Sequence, residues 1–184
     1  MSKNIGIIIG SLREGSFSRQ VADNIVPMLP EGYNAKELKI DDLDFYNEDL
    51  ETDTPPESWV RFRNEMKDID AVIFFTPEYN RTVPATIKNA IDVGSRPYGS
   101  SIWGGKPAAV VSASPGAISG FGANHHLRQS LVFVDMPTLA QPEVYLASVH
   151  ELLADGKIKD ESTLQFLQSF VDAFVKHVET NTAS

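Results

Sequence analysis

The chain has 184 residues, of which 42% are hydrophobic and 22% charged, and its formal net charge is −9 at pH 7. This length suits one globular domain, residues 1–184, with a full-sized core. The acidic balance argues against nucleic acid and against an anionic membrane surface as partners. Without cysteine there is no disulfide framework and no thiolate nucleophile. The first apolar run is too short for a signal peptide or a membrane span, so we expect a cytoplasmic protein.

That apolar run, residues 5–9, is rich in β-branched side chains. It predicts a strand buried on both faces, as in a parallel sheet covered by helices. A loop over residues 10–18 follows, and apolar residues then recur at helical spacing from Val21 to Leu29. A loop rich in glycine and serine between a strand and a helix is suited to hold an anion, because helix N-termini carry unpaired N–H groups.

The donors in this loop indicate a phosphate. Ser11, Ser16 and Ser18 offer hydroxyl groups, and Arg13 offers a planar guanidinium. The alternative is an ordinary capped turn with Ser16 or Ser18 as the cap, but a cap needs only one serine. Ser16-Phe17 stands where a Walker motif requires lysine, and no G-x-G-x-x-G is present. We therefore expect a monophosphate rather than a triphosphate or a pyrophosphate.

The next segments predict an edge strand, an acidic loop and a helix. Residues 33–40 alternate weakly, as at a sheet edge. Residues 41–57 contain eight acidic side chains and no lysine or arginine, without the glycine of a calcium loop. We expect a solvated, mobile loop in which Phe45 and Tyr46 are possible anchors. Trp59 to Ile69 then follow helical spacing.

The second half repeats the pattern of strands and helices. Residues 70–76 and 108–113 predict buried strands, and residues 137–139 predict a short last strand. Helices are expected after Pro84, over residues 126–133 and at the C-terminus, where Ser162 and Gln165 form a capping box. Residues 94–105 form a loop that carries Tyr98 and Trp103.

Strand and helix alternate about five times, which predicts an α/β protein with a doubly wound parallel sheet. In such sheets ligands bind beyond the carboxyl ends of the strands, where the strand order reverses. We expect three loops to converge there: residues 10–18, 77–83 and 114–122. The second and third could also be a plain turn before a helix and a plain flexible loop.

Other kinds of site are poorly supported. His125 and His126 are adjacent, so on a helix they point about 100° apart and are poorly placed to chelate one ion. Ser112 and Ser114 lack the surroundings of a hydrolase nucleophile. The sequence therefore predicts neither a metal site nor a residue that transfers a proton.

Three stretches resemble the NADPH-dependent FMN reductase family, and within it most closely the bacterial quinone/chromate reductases. They are residues 10–18, residues 76–80 and residues 88–92, and the likeness runs from Ile5 to about Glu143. The resemblance implies a flavodoxin-like, five-stranded parallel sheet that holds FMN. It implies phosphate binding by Ser11, Arg13, Ser16, Phe17 and Ser18, and ring contacts from Pro77, Glu78, Tyr79, Asn80, Ser114 and Gly116.

Two positions depart from the family pattern. The phosphate motif often ends in asparagine, whereas this chain has Ser18, whose hydroxyl still donates. Arg81 follows the ring motif and leaves the substrate preference open between an anionic acceptor and the phosphate of the nicotinamide nucleotide.

The resemblance implies an NAD(P)H oxidoreductase with FMN that reduces quinones and similar small electron acceptors, chromate included. It also implies a homodimer or homotetramer with FMN near the subunit interface. Because the loops supply groups that hold a cofactor and no acid–base pair, we expect ping-pong hydride transfer through one shared site. The alternatives are a non-enzymatic electron carrier of the flavodoxin type and a nucleotide-binding regulator.

Overall fold

The structure is a computed structural model that describes residues 2–182. Its central sheet has five parallel strands in the order β2-β1-β3-β4-β5. They are β1 (Lys3–Ile9), β2 (Tyr33–Glu37), β3 (Ala71–Thr76), β4 (Ala108–Ala113) and β5 (Val144–Leu146). The helices are α1 (Phe17–Ile25), α2 (Glu57–Glu65), α3 (Ala85–Gly94), α4 (Phe121–Phe133), α5 (Val149–Leu152) and α6 (Glu161–Thr182). This doubly wound α/β arrangement confirms the predicted fold class.

Alternate residues of the strands build two cores, one on each face of the sheet. Ile7 and Ile9 of β1 pack with α1 and α6, whereas Ile8 packs with α2, α3 and α4. Strands β3 and β4 are buried along their whole length. A strand with helices on both sides has no solvent-facing surface, which explains why its sequence is a continuous apolar run.

The strand order reverses between β1 and β3. From β1 the chain crosses to β2 on one side, and it later returns to β3, β4 and β5 on the other side. Residues Ile7 and Ile8 of β1 lie opposite Ile73 and Phe74 of β3. The loops after β1 and β3 therefore leave the sheet side by side, at the position where doubly wound sheets bind ligands.

The predicted last strand was placed too early in the chain. Thr138 forms only an isolated bridge with Ala108, and regular pairing with β4 resumes at Val144–Leu146. The segment between them contains Pro142. Proline has no N–H for the ladder, so the strand is interrupted there. A two-stranded hairpin of β6 (Leu153–Ala154) and β7 (Lys157–Ile158) was not predicted.

Two other local predictions were also wrong. Helix α4 begins at Phe121 rather than at residue 126, after Gly120 in a left-handed conformation. The carboxylate of Asp160, not Ser162, caps α6 and accepts a 2.7 Å hydrogen bond from the backbone N–H of Thr163. Aspartate is at least as good a cap as serine, and here it stands one residue before the helix.

The acidic loop is anchored near its start instead of being loose. The side-chain amide of Asn89 donates to the carbonyl oxygens of Leu43 and Asp44, and its oxygen accepts from the N–H of Tyr46 at 2.8 Å. The Tyr46 ring stacks on Trp59 with 5.3 Å between ring centroids. Tyr46 is thus an anchor, as the sequence suggested, while Phe45 is 76% exposed.

Candidate active site

A cavity of about 400 Å³ opens at the carboxyl edge of the sheet, beside the point where the strand order reverses. We call it the flavin cavity. Residues from all three predicted loops line it: Ser11, Arg13, Phe17, Ser18, Pro77, Glu78, Tyr79, Ala113, Ser114 and Pro115. The structure therefore brings the three loops together around one site. The volume lies within the range of ligand pockets in proteins.

Residues 10–18, which we call the phosphate loop, combine a helix cap with unused donors. The Ser16 hydroxyl accepts a 3.3 Å hydrogen bond from the N–H of Arg19 and caps α1. The capped-turn alternative is thus correct for Ser16. Among residues 2–182, however, no acceptor is bonded to the backbone N–H groups of residues 11–15, 17 and 18. These groups surround the positive end of α1 and suit an anion.

The side chains of this loop add further donors. Ser18 is buried and borders the flavin cavity, and its hydroxyl has no hydrogen bond within the described part of the chain. The Arg13 guanidinium donates to the carbonyl oxygen of Gly15 at 3.0 Å and lies over the Phe17 ring, 5.1 Å from its centroid. A guanidinium has five N–H donors, so most of its donors are available to a ligand.

Gly15 and Gly10 shape this loop for different reasons. Gly15 has a φ of +68°, a left-handed conformation that favours glycine. Gly10 faces α3, where an added Cβ would lie 2.5 Å from a side-chain carbon of Ile87. The hydroxyl of Thr86 donates to the carbonyl oxygen of Gly10 at 3.0 Å, which fixes the start of the loop against α3.

Residues 77–82, which we call the ring loop, end in a tight hairpin turn. Tyr79 and Thr82 exchange two backbone hydrogen bonds of 3.1 Å, and Asn80 and Arg81 between them have φ values of +51° and +67°. Two successive left-handed residues define a type I′ turn, which favours asparagine first and glycine second. Arginine at the second position carries a strain of roughly 1 kcal/mol.

The ring loop also spans the cavity to the phosphate loop. The hydroxyl of Tyr79 lies 3.4 Å from that of Ser11, and the tyrosine remains 48% exposed. No hydrogen-bond partner within residues 2–182 occupies the backbone N–H groups of Glu78, Asn80 and Arg81. These groups could meet the polar edge of a heterocycle without bringing a charged side chain to it.

The Glu78 side chain joins the ring loop to α4. Its carboxylate accepts a 3.1 Å hydrogen bond from the N–H of Ala123 at the start of α4 and lies 3.3 Å from the Arg81 guanidinium. At Gly122 an added Cβ would lie 2.6 Å from the Arg81 carbonyl oxygen and 3.0 Å from this carboxylate. Glycine is therefore required where α4 meets the ring loop. No pattern in the sequence predicted this contact.

The third loop closes the cavity on the β4 side. The N–H of Ser114 donates to the Leu146 carbonyl oxygen at 3.0 Å, and its hydroxyl accepts from the N–H of Gly116 at 3.1 Å. An added Cβ at Gly116 would have only the Ser114 hydroxyl within 4 Å. The protein's own packing does not require glycine there, which leaves room for a ligand.

Most of the predicted site residues line this cavity, but some do not. Ser16, Asn80 and Gly116 lie beside lining residues in the chain without forming part of the wall. Ala113 and Pro115 line the wall and were missed, because an alanine that ends a buried strand carries no functional signal. Which of the residues contact FMN stays a prediction.

The two adjacent histidines are engaged separately and point to different partners. His125 Nε2 lies 2.9 Å from the Tyr145 hydroxyl, and His126 Nδ1 lies 2.7 Å from the Thr82 hydroxyl. Burial, together with the neighbouring Glu143 carboxylate, raises the pKa of Tyr145 to about 12. Within residues 2–182 no group of three acidic or histidine side chains could hold a metal ion.

Comparison with known proteins identifies the family. A sequence profile described as NADPH-dependent FMN reductase matches residues 3–151. The chain belongs to the NADPH-dependent FMN reductase family. It is 55% identical to a quinone reductase of Pseudomonas putida KT2440, over 98% of this chain and 97% of that protein. It is also 37% identical to a 2-hydroxy-1,4-benzoquinone reductase of a Burkholderia species, over 97% of each chain.

A solved structure agrees with this assignment. The flavoenzyme NAD(P)H:(acceptor) oxidoreductase FerB of Paracoccus denitrificans is 40% identical in sequence and superposes with a TM-score of 0.91, covering 97% of this chain and 98% of that one. The flavodoxin-like fold is thereby confirmed, and the chain is an FMN-dependent NAD(P)H oxidoreductase. The relatives are enzymes, which argues against the two alternatives, a non-enzymatic electron carrier and a nucleotide-binding regulator.

The donors of the cavity fit FMN chemically. A monophosphate suits the unused N–H groups of the phosphate loop with the Ser18 hydroxyl and the Arg13 guanidinium. A flat ring suits a cavity that is lined by Tyr79 of the ring loop and Pro115 of the third loop. Among the described residues, no helix is long and apolar enough to span a membrane.

Proposed function

We propose that the enzyme transfers electrons from NADPH or NADH to quinones and to other small oxidants such as chromate. The observation that carries the proposal is the convergence of the phosphate loop and the ring loop on one cavity, with unused N–H groups in both. The quinone reductases among its relatives support the acceptor class. FMN supplies, when bound, a ring that accepts a hydride and releases two electrons.

The residues of the chain hold and orient the reactants. The phosphate loop anchors the cofactor through Arg13, Ser18 and the N–H groups at the start of α1. The ring loop has unused N–H groups beside the cavity, and fixed donors of this kind stabilise negative charge on a ring. The Glu78 carboxylate accepts from the N–H of Ala123, so it holds the ring loop against α4. Donor and acceptor use the open side of the cavity in turn.

Steady-state kinetics test the shared site. We expect parallel double-reciprocal plots when NADPH is varied at several quinone concentrations, because the first product leaves before the acceptor enters. Intersecting lines, with direct evidence that both substrates bind together, would contradict the shared site.

We also propose that the working unit is a homodimer or homotetramer in the cytoplasm. Three exposed aromatic side chains support a subunit contact: Phe45, Tyr98 and Phe133 are 76%, 93% and 87% exposed. Trp103, which lies in the same loop as Tyr98, is instead buried against Gly94 and donates to the Ile91 carbonyl oxygen at 3.1 Å. Light scattering that shows a fully active monomer would overturn this proposal.

A further inference from the structure

A second cavity, of about 500 Å³, lies between the first turn of α3 and the middle of α4. We call it the α3–α4 cavity. Its polar lining residues are Thr82, Lys88, His126, Gln129 and Ser130. The ring loop separates the α3–α4 cavity from the flavin cavity. Tyr79, at the start of the hairpin turn, lines the flavin cavity, and Thr82, at the end of the turn, lines the α3–α4 cavity. The two cavities are therefore neighbours on either side of one turn.

The α3–α4 cavity has no acidic lining residue, although the chain carries a net charge of −9. The Lys88 ammonium contacts both carboxylate oxygens of Asp92, at 2.6 and 2.7 Å, and keeps one of its three N–H donors. His126 uses Nδ1 toward the Thr82 hydroxyl, which leaves Nε2 for another partner. On a protein with a net negative charge, a local surplus of donors without acidic neighbours in the lining favours the binding of an anionic ligand.

Arg81 stands at the tip of the turn between the two cavities. Its side chain is 70% exposed, and its contact with a charged group is a single 3.3 Å approach to Glu78. The backbone holds Arg81 at a φ of +67°, a left-handed conformation that favours glycine. Local folding therefore disfavours arginine here, and backbone strain of this kind is a reason to look for a functional use of the side chain.

We propose that Arg81, with Lys88 and His126, binds the diphosphate of the pyridine dinucleotide in the α3–α4 cavity. This inference rests on the proposed function, because it assumes that the nicotinamide enters the flavin cavity. A dinucleotide whose nicotinamide lies beside Tyr79 then extends past the turn, and its two phosphates meet the guanidinium at the tip. Arginine is well suited to phosphate because its planar donors match two oxygens.

Comparing the KM values of two electron donors distinguishes diphosphate binding from a general effect on catalysis. NADPH carries the diphosphate, whereas N-benzyl-1,4-dihydronicotinamide carries the same reactive ring without any phosphate. In the holoenzyme, Arg81→Ala should raise the KM for NADPH about fivefold and Lys88→Ala about twofold to threefold, with kcat unchanged. Neither variant should change the KM for the benzyl compound. Lys67→Ala is the charge-matched control. Lys67 lies just before β3, at the amino end of the strands, whereas both cavities lie at the carboxyl end.

A binding measurement without turnover completes the test. ADP-ribose contains the diphosphate and lacks the nicotinamide, so calorimetry with the holoenzyme should show it to bind more weakly to Arg81→Ala than to wild type or Lys67→Ala. Unchanged ADP-ribose binding, or an equal rise of KM for both electron donors, would overturn the proposal. So would a variant whose KM rises for an anionic hydroxybenzoquinone and not for NADPH. Flavin that neither electron donor reduces would instead count against the proposed function.

Discussion

The side-chain carboxylate of Glu78 accepts a 3.1 Å hydrogen bond from the backbone N–H of Ala123. This bond joins the ring loop to the first turn of α4, and the absence of a side chain at Gly122 allows the two backbones to approach. The free N–H groups of the ring loop are therefore held in place from outside the cavity. A side chain that lines a ligand cavity can thus also fix the position of its own loop.

Glu78→Ala should loosen the ring loop. Loss of a hydrogen bond to a charged, largely buried group lowers the free energy of unfolding by about 1.5–3 kcal/mol. We also expect weaker FMN binding, measured by quenching of flavin fluorescence. Glu78→Gln is the matched control, since its amide oxygen still accepts from Ala123. Wild-type stability and affinity in Glu78→Ala would show that the bond does not fix the loop.

Arg13→Ala tests the phosphate loop. The change removes charge-assisted hydrogen bonds worth roughly 1.5–3 kcal/mol, so FMN affinity should fall about tenfold to a hundredfold. Riboflavin, which lacks the phosphate, should bind almost as before. Arg19→Ala is the control, because Arg19 lies in the same region but pairs with Glu37 at 2.7 Å. Equal losses of FMN and riboflavin affinity would show that Arg13 does not contact the phosphate.

The parts of the fold that the sequence predicted well are those in which one local pattern determines the structure. Strands β1, β3 and β4 are continuous apolar runs because they are buried on both faces. The last strand was misplaced because β5 has three residues and follows an interruption at Pro142, so it has no comparable run.

The candidate site likewise has features that the sequence predicted and features that it did not. Convergence of the three loops follows from strand order, which alternation of strands and helices predicts. The Glu78–Ala123 bond and the burial of Trp103 depend on packing between segments far apart in the chain. No local pattern encodes such contacts. The sequence therefore located the cavity but not the direction of each side chain.

Asp160→Ala should destabilise the protein in a pH-dependent manner. Hydrogen bonds from Ser162 and Thr163 lower the pKa of the Asp160 carboxyl. A carboxyl whose pKa is lower in the folded state stabilises the fold above its unfolded pKa of about 3.9, and this contribution is lost as the pH falls through the folded value. The Tm difference between wild type and Asp160→Ala should therefore be larger at neutral pH than in acid.

Ser162→Ala serves as the control for this experiment, since Ser162 supports the carboxylate without capping α6 itself. Its effect on Tm should be smaller than that of Asp160→Ala. A larger effect for Ser162→Ala would restore the serine as the cap.

His125→Gln and Tyr145→Phe should leave turnover almost unchanged. The Tyr145 hydroxyl, with its pKa raised to about 12 by burial and by Glu143, stays protonated between about pH 6 and pH 9. We expect kcat to stay within about threefold of wild type over this range, measured with NADPH and a quinone. A loss of roughly 10²–10⁴-fold would instead indicate a lost general acid or base and a mechanism that uses this pair.

The most direct test of the central claim is the visible absorption spectrum of the purified protein, recorded without oxygen before and after NADPH and again after a quinone. An enzyme that holds FMN in the flavin cavity should be yellow, lose its absorbance within seconds of NADPH addition, and regain it when the quinone is added. A protein that binds no flavin when FMN is supplied, or whose bound flavin NADPH does not bleach, would contradict the account.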